Sequence, residues 1–137
     1  MTDVLHRFRT ALEARDSAAA AALMADDVVF RSPVVFKPYG GRDAVREIMA
    51  AVFQVLDDWR CVREIGTPVG RDHALVFEAR IGDRQIEGCD FIRLDESGSI
   101  EEFYVMVRPL SGALALAAAM KAQLTPGAEQ PIYDGPS

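Results

Sequence analysis

The spacing of hydrophobic residues changes along the chain, and the change predicts mostly helices first and strands afterwards. Leu5, Phe8 and Leu12 recur at helical spacing, as do the apolar residues between Val45 and Leu56. From residue 59 onward, β-branched and aromatic residues lie between short turn sequences, which is typical of strands. The predicted helices cover residues 2–15, 18–24, 42–56 and 111–123. The predicted strands cover residues 28–30, 59–66, 74–81, 84–94 and 100–108.

Two aspartate pairs and one loop mark the predicted ends of these elements. The pair at 26–27 is predicted to end the second helix, and the pair at 57–58 to end the third. Residues 34–41 contain Pro38 and two adjacent glycines, so they are predicted to form a loop.

Asp90 is a polar residue on a strand face where the pattern predicts an apolar one. It belongs to a predicted hairpin that turns at residues 95–98. Because side chains alternate along a strand, Asp90 shares a face with Ile86, Ile92 and Leu94. An ionised carboxylate among such neighbours is costly. We therefore expect the Asp90 carboxyl to be paired, protonated or directed into a cavity.

The order of elements predicts an α+β architecture. Short, turn-rich connections after residue 66 favour an antiparallel meander. Helices grouped against one face of such a sheet can leave a conical pocket if the sheet is strongly twisted. Asp90 is predicted to point into that pocket.

Composition narrows the classes of function. The 137 residues suit one domain, and the net charge is −6 with no basic run, which argues against nucleic-acid and anionic-membrane binding. No apolar stretch approaches the roughly 20 residues that a membrane helix needs, and the N-terminus lacks a signal-like apolar core. Cys61 and Cys89 have no metal-ligand spacing and are expected to be buried, reduced thiols. We expect a cytoplasmic protein without metal or cofactor.

Three short segments together resemble one known superfamily. Residues 23–28 (LMADDV) are similar to an "ADD-x-V" start of a first strand, and residues 41–45 (GRDAV) to a "G-R-x-x-I" helix start. Residues 90–100 are similar to a "D-x-x-x-F-D-x-x-G-x-I" hairpin. In this order they resemble the nuclear-transport-factor-2-like (NTF2-like) superfamily, in its SnoaL-like and ketosteroid-isomerase-like branch. The resemblance implies a cone-shaped fold with a curved antiparallel sheet wrapped around helices, in one domain over 1–124 with a flexible tail at 125–137.

The resemblance also implies which residues would act, and most of them differ here. In ketosteroid isomerases an Asp base precedes the proline after the first strand, where this chain has Ser32, and an oxyanion tyrosine falls at Phe8. The third residue, an Asp kept protonated to donate to an oxyanion, falls at Asp90 and is retained. Limonene-epoxide hydrolases use an Arg-x-Asp pair on this strand, and Gly88 stands at the arginine position.

We therefore predict a small-molecule pocket protein, with Asp90 as the catalytic acid or base of a cofactor-independent isomerase, cyclase or lyase. The ligand would be a small apolar or polyketide- or steroid-like molecule. The alternatives are a ligand-binding protein without catalysis, a limonene-epoxide-hydrolase-like enzyme, or a protein-interaction module. The remaining predicted pocket residues are mainly apolar: Phe8, Leu12, Phe30, Ser32, Met49, Phe53, Phe77, Ile92, Phe103, Val105 and Val107.

Two further predictions concern Ser32 and the outer face of the sheet. Ser32 either donates a hydrogen bond to a ligand or caps the turn that follows its strand. Tyr104 and Met106 lie among charged residues on the face opposite Asp90. Such a face favours a homodimer, and sheet-face dimers are common in the superfamily that the chain resembles.

Overall fold

Residues 2–124 fold as four helices packed on a six-stranded sheet. The computed structural model describes the backbone of residues 2–124 and the side chains of residues 4–124, so the predicted tail at 125–137 lies outside the described residues. The helices are α1 (Thr2–Glu13), α2 (Ser17–Ala22), α3 (Arg42–Val55) and α4 (Leu110–Leu124). The strands are β1 (Met24–Arg31), β2 (Tyr39–Gly40), β3 (Asp57–Ile65), β4 (Asp72–Ile81), β5 (Arg84–Leu94) and β6 (Ile100–Arg108).

The sheet is a curved meander with one parallel pairing added at its side. The strand order is β2-β1-β6-β5-β4-β3, and β3 to β6 are antiparallel neighbours, as the sequence predicts. β1 lies parallel to β6, so the sheet is mixed and not wholly antiparallel. The α+β fold class is confirmed.

The hairpin between β5 and β6 closes through the predicted turn. The Asp95 carboxylate accepts hydrogen bonds from the backbone N–H groups of Ser97 and Ser99, both at 2.9 Å. Gly98 adopts a φ of 90°, which a side chain would disfavour. These contacts set the register that directs Asp90 to the inner face.

Both aspartate pairs lie within strands. The prediction that the pair at 26–27 ends the second helix is wrong, because α2 ends at Ala22 and both residues lie inside β1, whereas α3 ends at Val55, two residues before the pair at 57–58. The register between β1 and β6 shifts between Met24 and Val29, and Asp26 and Asp27 are exposed at that shift. Arg42 stabilises this part of β1, since it donates to the Met24 carbonyl at 2.9 Å and pairs with Asp26 at 2.7 Å.

The second pair begins β3, where Asp58 has a φ of 57°. The Arg80 guanidinium lies 3.2 Å from the Asp58 carboxylate. β2 is a two-residue strand that the sequence does not predict, because it falls within the loop at residues 34–41.

The hydrophobic core lies between the helices and the inner face of the sheet. Phe8 of α1 packs edge-on against Phe103 of β6, with ring centroids 5.4 Å apart and planes at 87°. Phe30 of β1 contacts the same Phe103 ring at 5.2 Å. This aromatic cluster joins the first helix to two strands and borders the cavity described next.

Candidate active site

A cavity of about 200 Å³ lies between the inner face of the sheet and the helices. Every strand except β2 contributes to its wall. The remaining lining residues come from α1, α3, α4 and the connections beside them. Its lining is mostly apolar, which suits a small hydrophobic guest. The lining residues are Leu12, Glu13, Arg15, Phe30, Pro33, Ile48, Met49, Val52, Phe53, Leu56, Asp58, Trp59, Phe77, Ile86, Asp90, Phe103, Val105, Val107 and Leu116.

Asp90 is the buried ionisable residue of this cavity. The β5 register sets it between Leu75 of β4 and Val105 of β6, and its side chain is on the inner face. Asp90 is only 4% exposed. Among residues 4–124, no side chain or backbone group forms a hydrogen bond or ion pair with its carboxyl, and Asp90 lines the cavity.

Burial without a partner has a definite effect on the protonation of Asp90. Desolvation raises the pKa of the carboxyl from 3.8 to about 8, because no nearby cation or donor stabilises the charged form. The folded protein therefore holds this carboxyl mainly in its protonated form at neutral pH. A neutral carboxyl in an apolar site can donate a hydrogen bond or a proton to a ligand oxygen.

An aromatic pair lies beside Asp90 on the inner face. Trp59 of β3 and Phe77 of β4 stack with ring centroids 5.6 Å apart and planes 26° from parallel. Phe77 pairs in register with Gly88, which lies two residues before Asp90 on the same face. A β-carbon at Gly88 would overlap the end of the Phe77 ring and lie 2.8 Å from the Met106 carbonyl oxygen. The absence of a side chain at Gly88 therefore lets the Phe77 ring cross β5.

Three charged residues also line the cavity, where α1 ends and β3 begins. Glu13 pairs with Arg9 at 3.2 Å, and Asp58 pairs with Arg80 at the same distance. Arg15 lies 3.9 Å from the Asp57 carboxylate. Glu13, Arg15 and Asp58 thus form a charged rim of the cavity. Their side chains are exposed to solvent and paired, whereas Asp90 is buried and has no partner among residues 4–124.

Eight of the eleven predicted pocket residues line the cavity beside Asp90. The other three do not. Phe8 is fully buried in the core behind Phe103, and Ile92 lies one inward position beyond Asp90, where it is 2% exposed. The Ser32 hydroxyl oxygen accepts hydrogen bonds from the backbone N–H groups of Val34 and Val35, at 2.9 and 3.0 Å. Ser32 thus caps the turn after β1, which was one of its two predicted roles.

Several lining residues were missed in the sequence. Ile48 and Val52 belong to the same apolar stripe as Met49, so that stripe could have identified them. The sequence predicts that Trp59 begins a strand, but it does not show which face of the sheet the Trp59 side chain occupies, because that depends on the register of β3. Leu116 comes from α4, whose small apolar residues show little periodicity in the sequence.

Neither a metal centre nor a membrane helix emerges from the described residues. Within residues 2–124, no group of three or more His, Cys, Asp or Glu side chains could hold a metal ion. In the same range, no helix combines the length and the apolar character that crossing a bilayer requires.

Comparison with known proteins assigns the family. Residues 5–103 match the SnoaL-like domain, and the chain belongs to this family of the NTF2-like superfamily. A steroid delta-isomerase from Pseudomonas aeruginosa is 38% identical in sequence, with a TM-score of 0.84 over 89% of each chain. No curated protein sequence matches the chain.

Two further structures are similar in fold. A protein with a cystatin-like fold from Silicibacter pomeroyi DSS-3 is 34% identical, with a TM-score of 0.86 over 90% of this chain and 86% of that one. An NTF2-like protein from Cytophaga hutchinsonii ATCC 33406 is 17% identical, with a TM-score of 0.63 over 79% of this chain and 89% of that one. The latter likeness concerns the fold alone.

Proposed function

We propose that this protein is a cofactor-independent enzyme in which neutral Asp90 acts as a general acid toward a small, largely apolar substrate. The acid would donate its proton to a carbonyl, hydroxyl or epoxide oxygen as negative charge develops there. Isomerisation, cyclisation and dehydration all include such a step. The carboxylate that remains on Asp90 then accepts the proton that the substrate loses, which regenerates the acid. A cytoplasmic location for the protein stays a prediction from its sequence.

The observation that carries this proposal is a buried carboxyl that faces a cavity without a partner. A structural aspartate would be expected to accept hydrogen bonds from backbone amides or to pair with an arginine. Asp90 has neither among residues 4–124, and its raised pKa keeps a proton available near neutral pH. The similarity to a Pseudomonas aeruginosa steroid delta-isomerase makes a ketone substrate a reasonable first class to test.

Two related mechanisms receive less support from the same residues. Ser32 stands where ketosteroid isomerases carry their base, and its hydroxyl oxygen is occupied by two backbone amides. The epoxide-hydrolase alternative needs an arginine at Gly88, where the Phe77 ring and the Met106 carbonyl leave no room for a side chain. A proton transfer that relies on Asp90 alone at the bottom of the cavity is therefore favoured.

The test is turnover of a steroidal β,γ-unsaturated ketone, followed as formation of the conjugated enone. We expect Asp90→Asn to lower kcat/KM by roughly 100-fold or more, within the range for loss of a general acid or base. Ser32→Ala is the matched control and should change kcat/KM little, because Ser32 does not line the cavity.

The pH dependence of the same reaction tests the acid role. The value of kcat/KM for the free enzyme should fall as the pH rises through about 8, where Asp90 loses its proton. A rate that rises through pH 8 would instead require the ionised carboxylate as a base and would contradict the acid role. Equal turnover by wild type and Asp90→Asn would contradict any catalytic role.

A second candidate is a ligand-binding protein without catalysis. Asp90 is the one ionisable side chain among the lining residues that lies away from the charged rim, so the described part of the chain offers no deep acid–base pair. The chain has one tryptophan, Trp59, and it lines the cavity, so its fluorescence reports ligand binding directly. Tight binding of the ketone without turnover by wild type would support this second candidate over the enzyme.

We also propose that two copies of the chain associate through the outer face of the sheet. Val76, Cys89 and Met106 align across three strands, and Phe91 and Tyr104 pair in the next row. Met106 is 50% exposed and Phe91 40% exposed. These residues form one apolar strip whose exposure suits a protein interface.

The borders of this apolar strip suit a second copy of the same chain. Glu87 and Arg108 flank one side, and Arg93 and Glu102 flank the other. Because each border carries both signs, a two-fold rotation can bring opposite charges together. Met106→Glu should convert a dimer to a monomer in sedimentation velocity, whereas Val69→Glu, at an 87% exposed loop position, should not.

The same variants separate the enzyme from a protein-interaction module. If the protein is an interaction module, a charged residue at Tyr104 or Met106 removes its protein-binding activity. Asp90→Asn then leaves that binding activity intact. If both Met106→Glu and wild type sediment as monomers, the dimer proposal fails while the catalytic proposal is unaffected.

A further inference from the structure

We infer that the Trp59–Phe77 pair is a specificity determinant that selects flat, conjugated ring systems over saturated ones of the same size. This inference rests on the proposed ligand-binding function of the cavity and names the class of ligand. It follows from the placement of the two rings relative to Gly88 and Asp90.

The two rings stack on each other and form an aromatic surface on one wall of the cavity. Trp59 comes directly after Asp58 of the charged rim, and its ring stacks on Phe77 at 5.6 Å and 26°. Phe77 extends the surface across Gly88 to the strand that carries Asp90. The aromatic surface therefore leads from the rim of the cavity to the buried acid.

Gly88 leaves the space over β5 that the Phe77 ring occupies. A β-carbon there would overlap the end of the Phe77 ring and would lie 2.8 Å from the Met106 carbonyl oxygen. With glycine, the ring lies across the strand instead of standing away from the sheet. A ligand can then contact the ring face over the same strand that presents Asp90.

The rest of the wall differs from this surface in shape and in chemistry. α3 contributes aliphatic and flexible side chains, among them Ile48, Met49 and Val52. Met49 can adapt to either a flat or a puckered guest, and Ile48 and Val52 present no flat ring face. The faces of aromatic rings favour other flat π-systems, through offset stacking that adds to simple burial. A conjugated ring lying on Phe77 would also bring a substituent oxygen toward Asp90.

The experiment compares two alcohols that differ only in ring saturation, 2-naphthalenemethanol and decahydro-2-naphthalenemethanol. Neither alcohol titrates near neutral pH, so their ionisation does not mix with that of Asp90. Equilibrium dialysis with quantification by mass spectrometry gives both dissociation constants without using Trp59 fluorescence. The measured quantity is the ratio of the two affinities in each variant.

We expect Phe77→Leu and Trp59→Leu each to lower the preference for the aromatic alcohol roughly 3- to 10-fold, in line with the strength of one aromatic pair. Met49→Leu is the matched control, because it changes a lining side chain without removing a ring, and its ratio should equal that of wild type within about 2-fold. Two separate aromatic variants keep the test valid if one of them does not fold.

Three outcomes would overturn the inference. The first is an affinity ratio that is unchanged in both aromatic variants, and the second is an equal shift in Met49→Leu. The third is failure of wild type to bind either alcohol. Failure of the catalytic proposal looks different, because Asp90→Asn would then retain turnover whatever the affinity ratio. A further combination is a shift of the affinity ratio of the two alcohols in Phe77→Leu while Asp90→Asn keeps the turnover of wild type. That combination would support the specificity role of the aromatic pair and contradict the acid role of Asp90.

Discussion

Asp90 predicts an unusual dependence of stability on pH. In the unfolded chain its carboxyl ionises near the ordinary value of 3.8, whereas burial holds the pKa in the folded protein at about 8. Between these two values the unfolded state releases a proton that the folded state keeps. The free energy of unfolding therefore falls as the pH rises, which is opposite to the usual effect of a paired carboxylate.

The magnitude follows from the separation of the two pKa values. Each pH unit inside the window changes the contribution of Asp90 by about 1.4 kcal/mol. Between pH 4 and pH 8 the wild type should lose about 5 kcal/mol relative to a variant with a neutral residue at this position. Below pH 4 both states of the wild type are protonated, so this contribution disappears.

Asp90→Asn provides that neutral residue with almost the same shape. Urea denaturation of both proteins at each pH unit from 4 to 8 gives the difference in their free energies of unfolding. The difference removes contributions that are common to both proteins, including that of Asp95, whose pKa is lowered chiefly by its side-chain hydrogen bond with Ser97. We expect the advantage of Asp90→Asn to grow steadily through this window.

A flat difference would refute the reasoning. If wild type and Asp90→Asn show parallel curves, with a change of less than about 1 kcal/mol from pH 4 to pH 8, then Asp90 ionises normally in the folded protein. Titration of the Asp90 carboxyl carbon by nuclear magnetic resonance gives an independent measurement. It should place the midpoint near 8 and not near 4.

Three further predictions concern stability. Gly88→Ala should lower the free energy of unfolding, measured by urea denaturation, by about 1–3 kcal/mol through overpacking. Gly40→Ala should change it much less, because Gly40 has open space around it. Equal losses in the two variants would contradict the close contact between Gly88 and Phe77. Phe8→Ala should cost about 3–5 kcal/mol, and a loss below about 1 kcal/mol would show that Phe8 is not in the core. Arg42→Met should cost about 1–2 kcal/mol by the same assay, because the Met24 carbonyl loses a charged donor; no loss would mean that this bond does not hold β1.

The fold was largely predictable because its signals are local. β5 and β6 have the predicted bounds, 84–94 and 100–108, since alternating side chains and turn residues define both ends of each strand. α3 begins at the predicted Arg42 and ends one residue early, at Val55. Each of these elements is specified by its own residues.

The misassigned segments depend on contacts that are distant in sequence. Two adjacent aspartates in β1 are tolerated because the register shifts there and Arg42 binds the strand. The parallel pairing of β1 with β6 joins segments about 70 residues apart. Neither the register shift nor the pairing produces a periodic pattern in the sequence.

The candidate site shows the same division between local and distant information. Alternation alone places Asp90, Val105 and Val107 on the inner face. It cannot show that Phe77 crosses Gly88, or that Ser32 turns its hydroxyl toward the following backbone, because both depend on local packing in three dimensions. Strand periodicity therefore identifies Asp90 as the inward-facing acid. The shape of the cavity wall around it follows only from the three-dimensional structure.

The energetic cost of Asp90 is the argument for its having a function. Near neutral pH, Asp90 lowers the free energy of unfolding by several kcal/mol relative to a neutral residue at this position. Core packing does not require a carboxyl either, because no described group hydrogen-bonds to it and its surroundings are apolar. Residues that lower stability without a structural partner are characteristic of sites where activity needs them. A proton held at the wall of an apolar cavity is the property that Asp90 adds, and a substrate oxygen that enters the cavity is the partner that could use it.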